Sequence, residues 1–315
     1  MEETTQKNCQ ENADNFLNRE GIVINLLVTT LINGLLIGGV YSLTAIGLTL
    51  IFGVMGTANF AHGTFLMAGM YIAYWFFKLM GIDPYLSLFA AMALLFVFGW
   101  NIQKYLLSKI MDGPHYYTFL LTLGIMAFME NTALFLWPDY RQLIVSYRTT
   151  EISLGSGHQI DLVRLLAFSL AVALTFALYY FLSLTEMGKA IRATSQNKTA
   201  AMLVGINVSK IYCITFAIGA ACAGAAGAVI APFYPVAYNI GDIFLLVAFV
   251  VVCLGGMGNF IGAMIGGLII GLAESLGALI IPGGQKQLIT YGIFIIILFL
   301  RPKGLLRFGG YWQAQ

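Results

Sequence analysis

The 315-residue chain is 59% hydrophobic and only 10% charged, with a mean hydropathy of +0.85 and a formal net charge of +2. Water-soluble domains do not have this composition, and the cations sit in loops between the apolar runs and form no nucleic-acid-binding face. Several runs reach the roughly 20 apolar residues that a bilayer-spanning helix needs, so the sequence predicts an all-α, polytopic membrane protein.

Residues 1–21 read as a polar tail, with Glu2, Glu3, Glu11, Asp14 and Glu20 set against Lys7 and Arg19. The tail lacks an apolar core followed by a small-residue cleavage site, so no removable signal peptide is expected. Nine hydrophobic blocks follow, near 25–52, 60–79, 85–103, 116–137, 162–182, 211–231, 243–257, 259–281 and 288–300. The first is long for one straight span and contains Gly34, Gly38 and Gly39; it is either one tilted helix or a broken, partly re-entrant one. The expectation is therefore 8–10 transmembrane helices in a single domain over residues 22–308, some broken or re-entrant, with a short tail at 309–315.

At the second block, Gly56 and Gly63 bracket Asn59 and His62 in an otherwise apolar setting. That pattern predicts a broken helix, and in lipid a break is tolerated only where it lines a cavity or is buried in protein. Asn59 and His62 then either cap the following helix and bond a neighbouring carbonyl, or line a translocation path. Glu130 and Glu274 are carboxyl groups inside spans. Each is expected to face protein or water, in an interhelical hydrogen bond or on a path where it would meet a substrate ammonium group.

Residues 183–210 interrupt the hydrophobic pattern, with Glu186 opposed by Lys189, Arg192, Lys198 and Lys210. Two short helices are expected: one continuing the preceding span through Arg192 and Ala193, and a second capped by Ser195 and ended by Gly205 in the left-handed conformation. Ala200, Ala201, Leu203 and Val204 would give the second an apolar face too small to bury itself. Such a helix either lies on lipid headgroups or seats in a groove of an ATPase.

Gly258, Gly262 and Gly266 recur every four residues, beside a second stripe of Gly267 and Gly271. Ala220, Gly224 and Ala228, and Ala223, Gly227 and Ala231, repeat the device. Small residues at this spacing let helix backbones approach closely in lipid. The pair Asn59-Phe60 recurs as Asn259-Phe260, a possible trace of an internal repeat. Alternating the blocks puts Lys104, Lys109, Lys189, Arg192, Lys198, Lys210, Arg301, Lys303 and Arg307 on one side, and Lys78, Arg141, Arg148, Arg164 and Lys286 on the other. The first, more cationic set is assigned to the cytoplasm, which places the C-terminus there.

Cys9, Cys213, Cys222 and Cys253 form no Cys-x-x-Cys pair, and His62, His115 and His158 are scattered, so neither a disulfide framework nor a metal site is expected. There is no Gly-x-x-x-x-Gly-Lys-Ser/Thr phosphate loop and no Gly-x-Ser-x-Gly elbow. The chain is therefore expected to be no enzyme and to hold no cofactor.

Four stretches together resemble permease subunits of ABC importers of the branched-chain amino-acid type. They are Gly56-Thr-Ala-Asn-Phe-Ala-His-Gly63; Gly188-x-Ala190-x-Arg192-Ala193 with Ala200, Gly205 and Ile206; Leu254-Gly-Gly-Met-Gly-Asn-Phe-Ile-Gly-Ala-Met-Ile-Gly-Gly267; and Arg301-Pro-Lys-Gly-Leu305. The sequence departs from that pattern at Asn259, where a small residue is more usual, and at Glu130, where relatives can carry Gln. The resemblance implies a path formed with a second, homologous permease in the plasma (inner) membrane of a prokaryote. It also implies two cytoplasmic ATPase subunits that bind the ATP and Mg, and an extracytoplasmic solute-binding protein. Gly188, Arg192, Ala193, Asn197, Ala200 and Gly205 would couple to the ATPases. A permease for urea or short amides looks similar, and an ion-coupled transporter or a channel are the readings from other classes.

Overall fold

The computed structural model describes residues 2–111, 113–143, 151–153, 159–280, 287–300 and 304, and for 2–24, 115, 151–153 and 159–160 the backbone only. Nine apolar helices account for the nine hydrophobic blocks: α1 (Glu2–Met55), α2 (His62–Met80), α3 (Pro84–Tyr105), α4 (His115–Leu136), α5 (Leu162–Leu184), α8 (Val208–Ile230), α9 (Ile240–Gly255), α10 (Phe260–Ile280) and α11 (Gln287–Leu300). Between α5 and α8 lie α6 (Glu186–Gln196) and α7 (Lys198–Leu203). The strands β1 (Glu151–Ser153) and β2 (Gln159–Asp161) form a small antiparallel hairpin before α5.

Among the described residues, six helices are long and apolar enough to cross a membrane: the 25–55 part of α1, α3, α4, α5, α8 and α10. Helices α9 and α11 are shorter, at 16 and 14 residues. Helix α1 is continuous for 54 residues. Its glycines do not break it, and the polar residues expected to form a separate tail extend the same helix. The C-terminal Arg301-Pro-Lys-Gly-Leu305 stretch lies outside the described residues except for Gly304, whose backbone sits against Gly256.

The centre of the bundle is the second half of the Asn25–Met55 part of α1 crossed by α8, both largely buried. Leu43, Ile46, Leu48 and Ile51 of α1 meet Phe65 and Met70 of α2, Phe216 of α8 and Phe244 of α9. Helix α10 runs antiparallel to α1: Gly34 faces Ser275, Gly38 faces Leu268, and Ser42 Oγ donates to the Met264 carbonyl at 2.7 Å. The stripe of Gly267 and Gly271 lies on this contact, whereas Gly262 and Gly266 lie against α9 at Gly255 and Val251. Gly258, expected on the same stripe as Gly262 and Gly266, instead precedes α10 in a left-handed turn (φ +82°) beside Gly53. The stripes on α10 itself are therefore Gly262 with Gly266 and Gly267 with Gly271, serving two different neighbours.

These pairings repeat. As α1 packs along α10, α8 packs antiparallel along α3, with Gly99 beside Ala217 and Ala220 and Gly224 beside Ala91. Helix α2 doubles back on α3, and α9 on α10; α4 leans on α2, and α11 on α9. Helices α1 and α8 run in opposite directions and meet reciprocally: the site of a Gly47 Cβ is 3.0 Å from the Gly219 carbonyl, and that of a Gly219 Cβ is 3.0 Å from the Gly47 carbonyl. Helices α1–α4 and α8–α11 are therefore inverted repeats about a pseudo-two-fold axis, an architecture used by many transporters. The Asn-Phe recurrence does not mark them. Asn59 precedes α2 but Asn259 precedes α10, so the two do not correspond. The topological counterpart of Asn259 is Asp83, which caps α3 by accepting from Tyr85 N at 2.9 Å, as Asn259 caps α10 by accepting from Gly262 N at 3.0 Å.

Candidate functional site: the half-helix crossing and the projecting helix pair

The chain leaves α1 at Met55 and climbs back beside it before α2 begins at His62, whose Nε2 lies 2.9 Å from the carbonyl of Thr44, more than two turns up α1. On the other repeat, residues 231–239 follow α8, and α9 begins at Ile240. The two beginnings touch at Gly63 and Gly241, where each backbone carbonyl occupies the space a Cβ on the other would need. Both are thus half-helices that start beside the middle of α1, the discontinuous arrangement expected for the Asn59–Gly63 break.

Asn59 and His62 are almost completely buried, at 1% and 0% exposure. Asn59 Oδ1 accepts from Ala61 N at 3.1 Å, ahead of the helix, and α2 begins after Ala61 with no side-chain cap. His62 makes the carbonyl contact that the sequence offered as one reading, but Asn59 does not cap the helix. Asn59 Nδ2 and His62 Nδ1 are buried without a hydrogen-bond partner. Glu130 of α4 reaches the same crossing, where Asp242 in the first turn of α9 is its charged neighbour. Its Oε1 is buried and unpartnered. Glu274 of α10 is elsewhere: its Oε2 accepts from Tyr41 OH of α1 at 2.8 Å, an interhelical hydrogen bond. Sequence reasoning missed Asp242 and Tyr41. Asp242 sits just outside the seventh block as drawn and is the one acidic residue before its apolar run; Tyr41 is an ordinary aromatic in a span.

Helix α5 stops at Leu184, and Thr185, not a continuing helix, starts α6: its Oγ1 accepts from Gly188 N at 3.0 Å. Gly188 has no room for a side chain, because the Leu182 backbone fills the Cβ position. Arg192 Nη1 donates to the Leu182 carbonyl, so its guanidinium caps the end of α5 and straps α6 to it. Ile191, Thr194 and Ser195 turn inward, and Ala193 is half-buried. Lys189 bonds Glu186 at 2.8 Å on the exposed side and holds that carboxyl group below its usual pKa.

Helix α7 is capped by Asn197, whose Oδ1 accepts from Ala200 N at 2.9 Å; Ser195 belongs to the last turn of α6 and donates to the Arg192 carbonyl. At its other end Gly205 has φ +85°. Gly205 N bonds Met202 O and Ile206 N bonds Ala201 O, both at 3.0 Å, which is a Schellman closure. Ala201 is buried, but Ala200 is exposed, and Met202, Leu203 and Val204 are 49%, 84% and 77% exposed. The apolar tip thus points away from the bundle. Among the described residues no group of His, Cys, Asp and Glu is arranged to hold a metal ion, and Cys213, Cys222 and Cys253 are free thiols.

A multi-span helical bundle of inverted repeats with a capped helix pair projecting from it defines a transporter subunit. Residues 30–298 match the model of the family described as branched-chain amino acid transport system / permease component, and the chain belongs to that family. It is 32% identical over 289 residues to the high-affinity branched-chain amino acid transport system permease protein BraD of Pseudomonas aeruginosa, covering 88% of this chain and 94% of that one. To the corresponding permease protein LivH of Escherichia coli K12 it is 30% identical over 287 residues, 87% of this chain and 93% of that one. A more distant relative is the ribose import permease protein RbsC of Haemophilus influenzae, 26% identical over 58% of each chain. No solved structure matches.

Proposed function

We propose that this chain is the membrane-spanning permease subunit of an ATP-driven ABC importer for branched-chain amino acids. It forms the path with a second, similar permease. Two ATPases, which bind the ATP and Mg, engage α6 and α7 from the cytoplasm, and a solute-binding protein delivers solute at the opposite face. The C-terminus lies on the cytoplasmic side, with the larger set of Lys and Arg.

The observation that carries the coupling assignment is the tip of α7. Three consecutive large apolar residues are exposed on a helix of 6 residues that is fastened at both ends by caps. A helix so short does not persist by propensity, and an exposed apolar patch held in fixed geometry marks a docking surface. The relatives named for branched-chain amino acids support the choice of solute. Gly188 and Arg192 then act as positioning residues, because they fasten α6 to α5 and so carry movement of the tip into the span.

The test is Leu203→Asp in the complete transporter. It should abolish co-purification of the ATPases and ATP-driven leucine uptake, while the permease alone keeps its Tm, since Leu203 touches little of its own fold. Normal uptake by this variant would sink the coupling assignment. Uptake that persists without ATP and depends on Glu130 would make the chain an ion-coupled transporter instead.

A further inference from the structure

A cavity of about 400 Å³ lies between α2, α3 and α4, towards the face where α4 ends and α5 begins, opposite α6 and α7. Met67 and Ile72 of α2, Phe98 of α3, and Phe128, Met129 and Leu136 of α4 give it apolar walls. A space of this kind holds no ordered water. Helix α4 is the least buried of the six candidate spans, so bilayer hydrocarbon lies beside it. From Leu136 down to Phe128 is about 12 Å of helix, most of the ~15 Å that one leaflet gives to a hydrocarbon core roughly 30 Å thick.

At the end near Trp137 the lining changes. The Tyr71 and Trp137 rings stack with centroids 4.6 Å apart, and Trp75 meets Trp137 at 5.9 Å. The Arg141 guanidinium lies 5.7 and 5.6 Å from the ring centroids of Tyr74 and Trp75, and Arg141 is the charged neighbour of Tyr71. Tyr71 is 3% exposed. Its hydroxyl, Trp75 Nε1 and Arg141 Nε are buried without a hydrogen-bond partner. A buried donor left unpaired is costly, and three in one cluster call for an acceptor from outside the chain. Their chemistry is that of a phosphate site at the membrane interface, where Trp and Tyr collect.

We infer that this cavity holds one glycerophospholipid of the surrounding bilayer. Its phosphate accepts from Arg141 Nε, Trp75 Nε1 and the Tyr71 hydroxyl, and one acyl tail runs along α4 from Leu136 to Phe128, against Ile72, Met67 and Phe98. The lipid fastens α4 to α2. It also bears on the half-helix crossing, because Arg141 N donates to the Val236 carbonyl at 2.9 Å and the Arg141 carbonyl accepts from Val236 N at 2.7 Å, in the link that leads into α9.

The experiment titrates dioleoylphosphatidylglycerol into the delipidated, full-length permease in detergent and counts bound lipid by native mass spectrometry. The parent should hold one molecule about tenfold or more tightly than dioleoylglycerol, which has the tails without the phosphate. Arg141→Gln and Tyr71→Phe should each bind it about three- to tenfold more weakly. Tyr71→Phe removes one oxygen and leaves the stacking, so a purely packing role predicts no change. Equal binding of the two lipids by the parent, or parent-like binding by either variant, overturns the site. So does an Arg141→Gln permease that keeps the lipid but is no longer engaged by the binding protein, which would make the cluster a protein contact. A second measurement covers a variant that fails to fold: phosphatidylglycerol should raise the Tm of the unmodified permease, whereas inorganic phosphate and dioleoylglycerol should not. An equal rise with phosphate would mean a soluble anion, and an equal rise with dioleoylglycerol a groove blind to the headgroup; either of these, or no rise at all, overturns the lipid site.

Discussion

Gly63 and Gly241 are the positions with least freedom in the crossing, because each Cβ would meet the other's backbone rather than a side chain that can swing aside. Gly63→Ala and Gly241→Ala should each lower stability by about 1–3 kcal/mol, the usual cost of overpacking. Gly124→Ala, where a Cβ has open space, should leave the Tm unchanged or slightly raised. Thermal unfolding in detergent distinguishes these outcomes, and equal Tm values for all three would remove the close approach as a structural requirement. Glu186 behaves differently. Its carboxyl pKa is lowered in the folded chain, so any stabilisation is present above the unfolded value and disappears as pH falls through the folded one. The group is fully exposed, so Glu186→Gln should melt with the parent at pH 7. At this scale the sequence revealed that Asn59 and His62 were special but not which way they face, since one spacing serves a cap and a lining equally. His62 meets the Thr44 carbonyl, whose place beside it is set by tertiary packing.

Helix α7 depends on the closure at Gly205. A β-branched residue at Gly205 must adopt a left-handed conformation at a cost of about 1–2 kcal/mol, whereas Asn reaches that region more readily. Gly205→Val should therefore uncouple ATP hydrolysis from uptake, and Gly205→Asn should retain most of it; identical transport in both would show that the closure is dispensable. Apart from α1, whose start was missed because its first turns are polar, the hydrophobic helices were legible to within a few residues, because lipid demands long apolar runs and leaves little else to choose. The caps of the helix pair were less so. Ser195 and Asn197 are both good capping residues two apart, and the choice falls on Asn197 because Ser195 is drawn inward with Thr194 and Ile191. The stop at Thr185 was hidden by an unbroken helical composition, and it depends on Gly188 coming hard against Leu182.

For the whole molecule, the inverted repeat was the least legible feature. Its counterparts share topology but hardly any sequence: Asp83 stands for Asn259, and the contact at Gly63 is answered by Gly241 in an Asn-Ile-Gly-Asp setting. Backbone proximity requires small residues at the axis and leaves everything else free, so the signal is a few glycines among 35. Expressed alone, the first repeat lacks the surface against which α2 is seated. A chain ended after Ile206 should accordingly be degraded in cells, and co-expression of residues 207–315 should rescue it; a stable N-terminal piece would mean that α2 settles unaided.

That dependence sets the order of biogenesis. Gly63 and Gly241 are 178 residues apart (241 − 63), which at roughly 5–20 residues per second separates their synthesis by about 10–35 s. Throughout that interval the insertion machinery must shelter Asn59, His62 and the start of α2, whose partner helix has not yet left the ribosome.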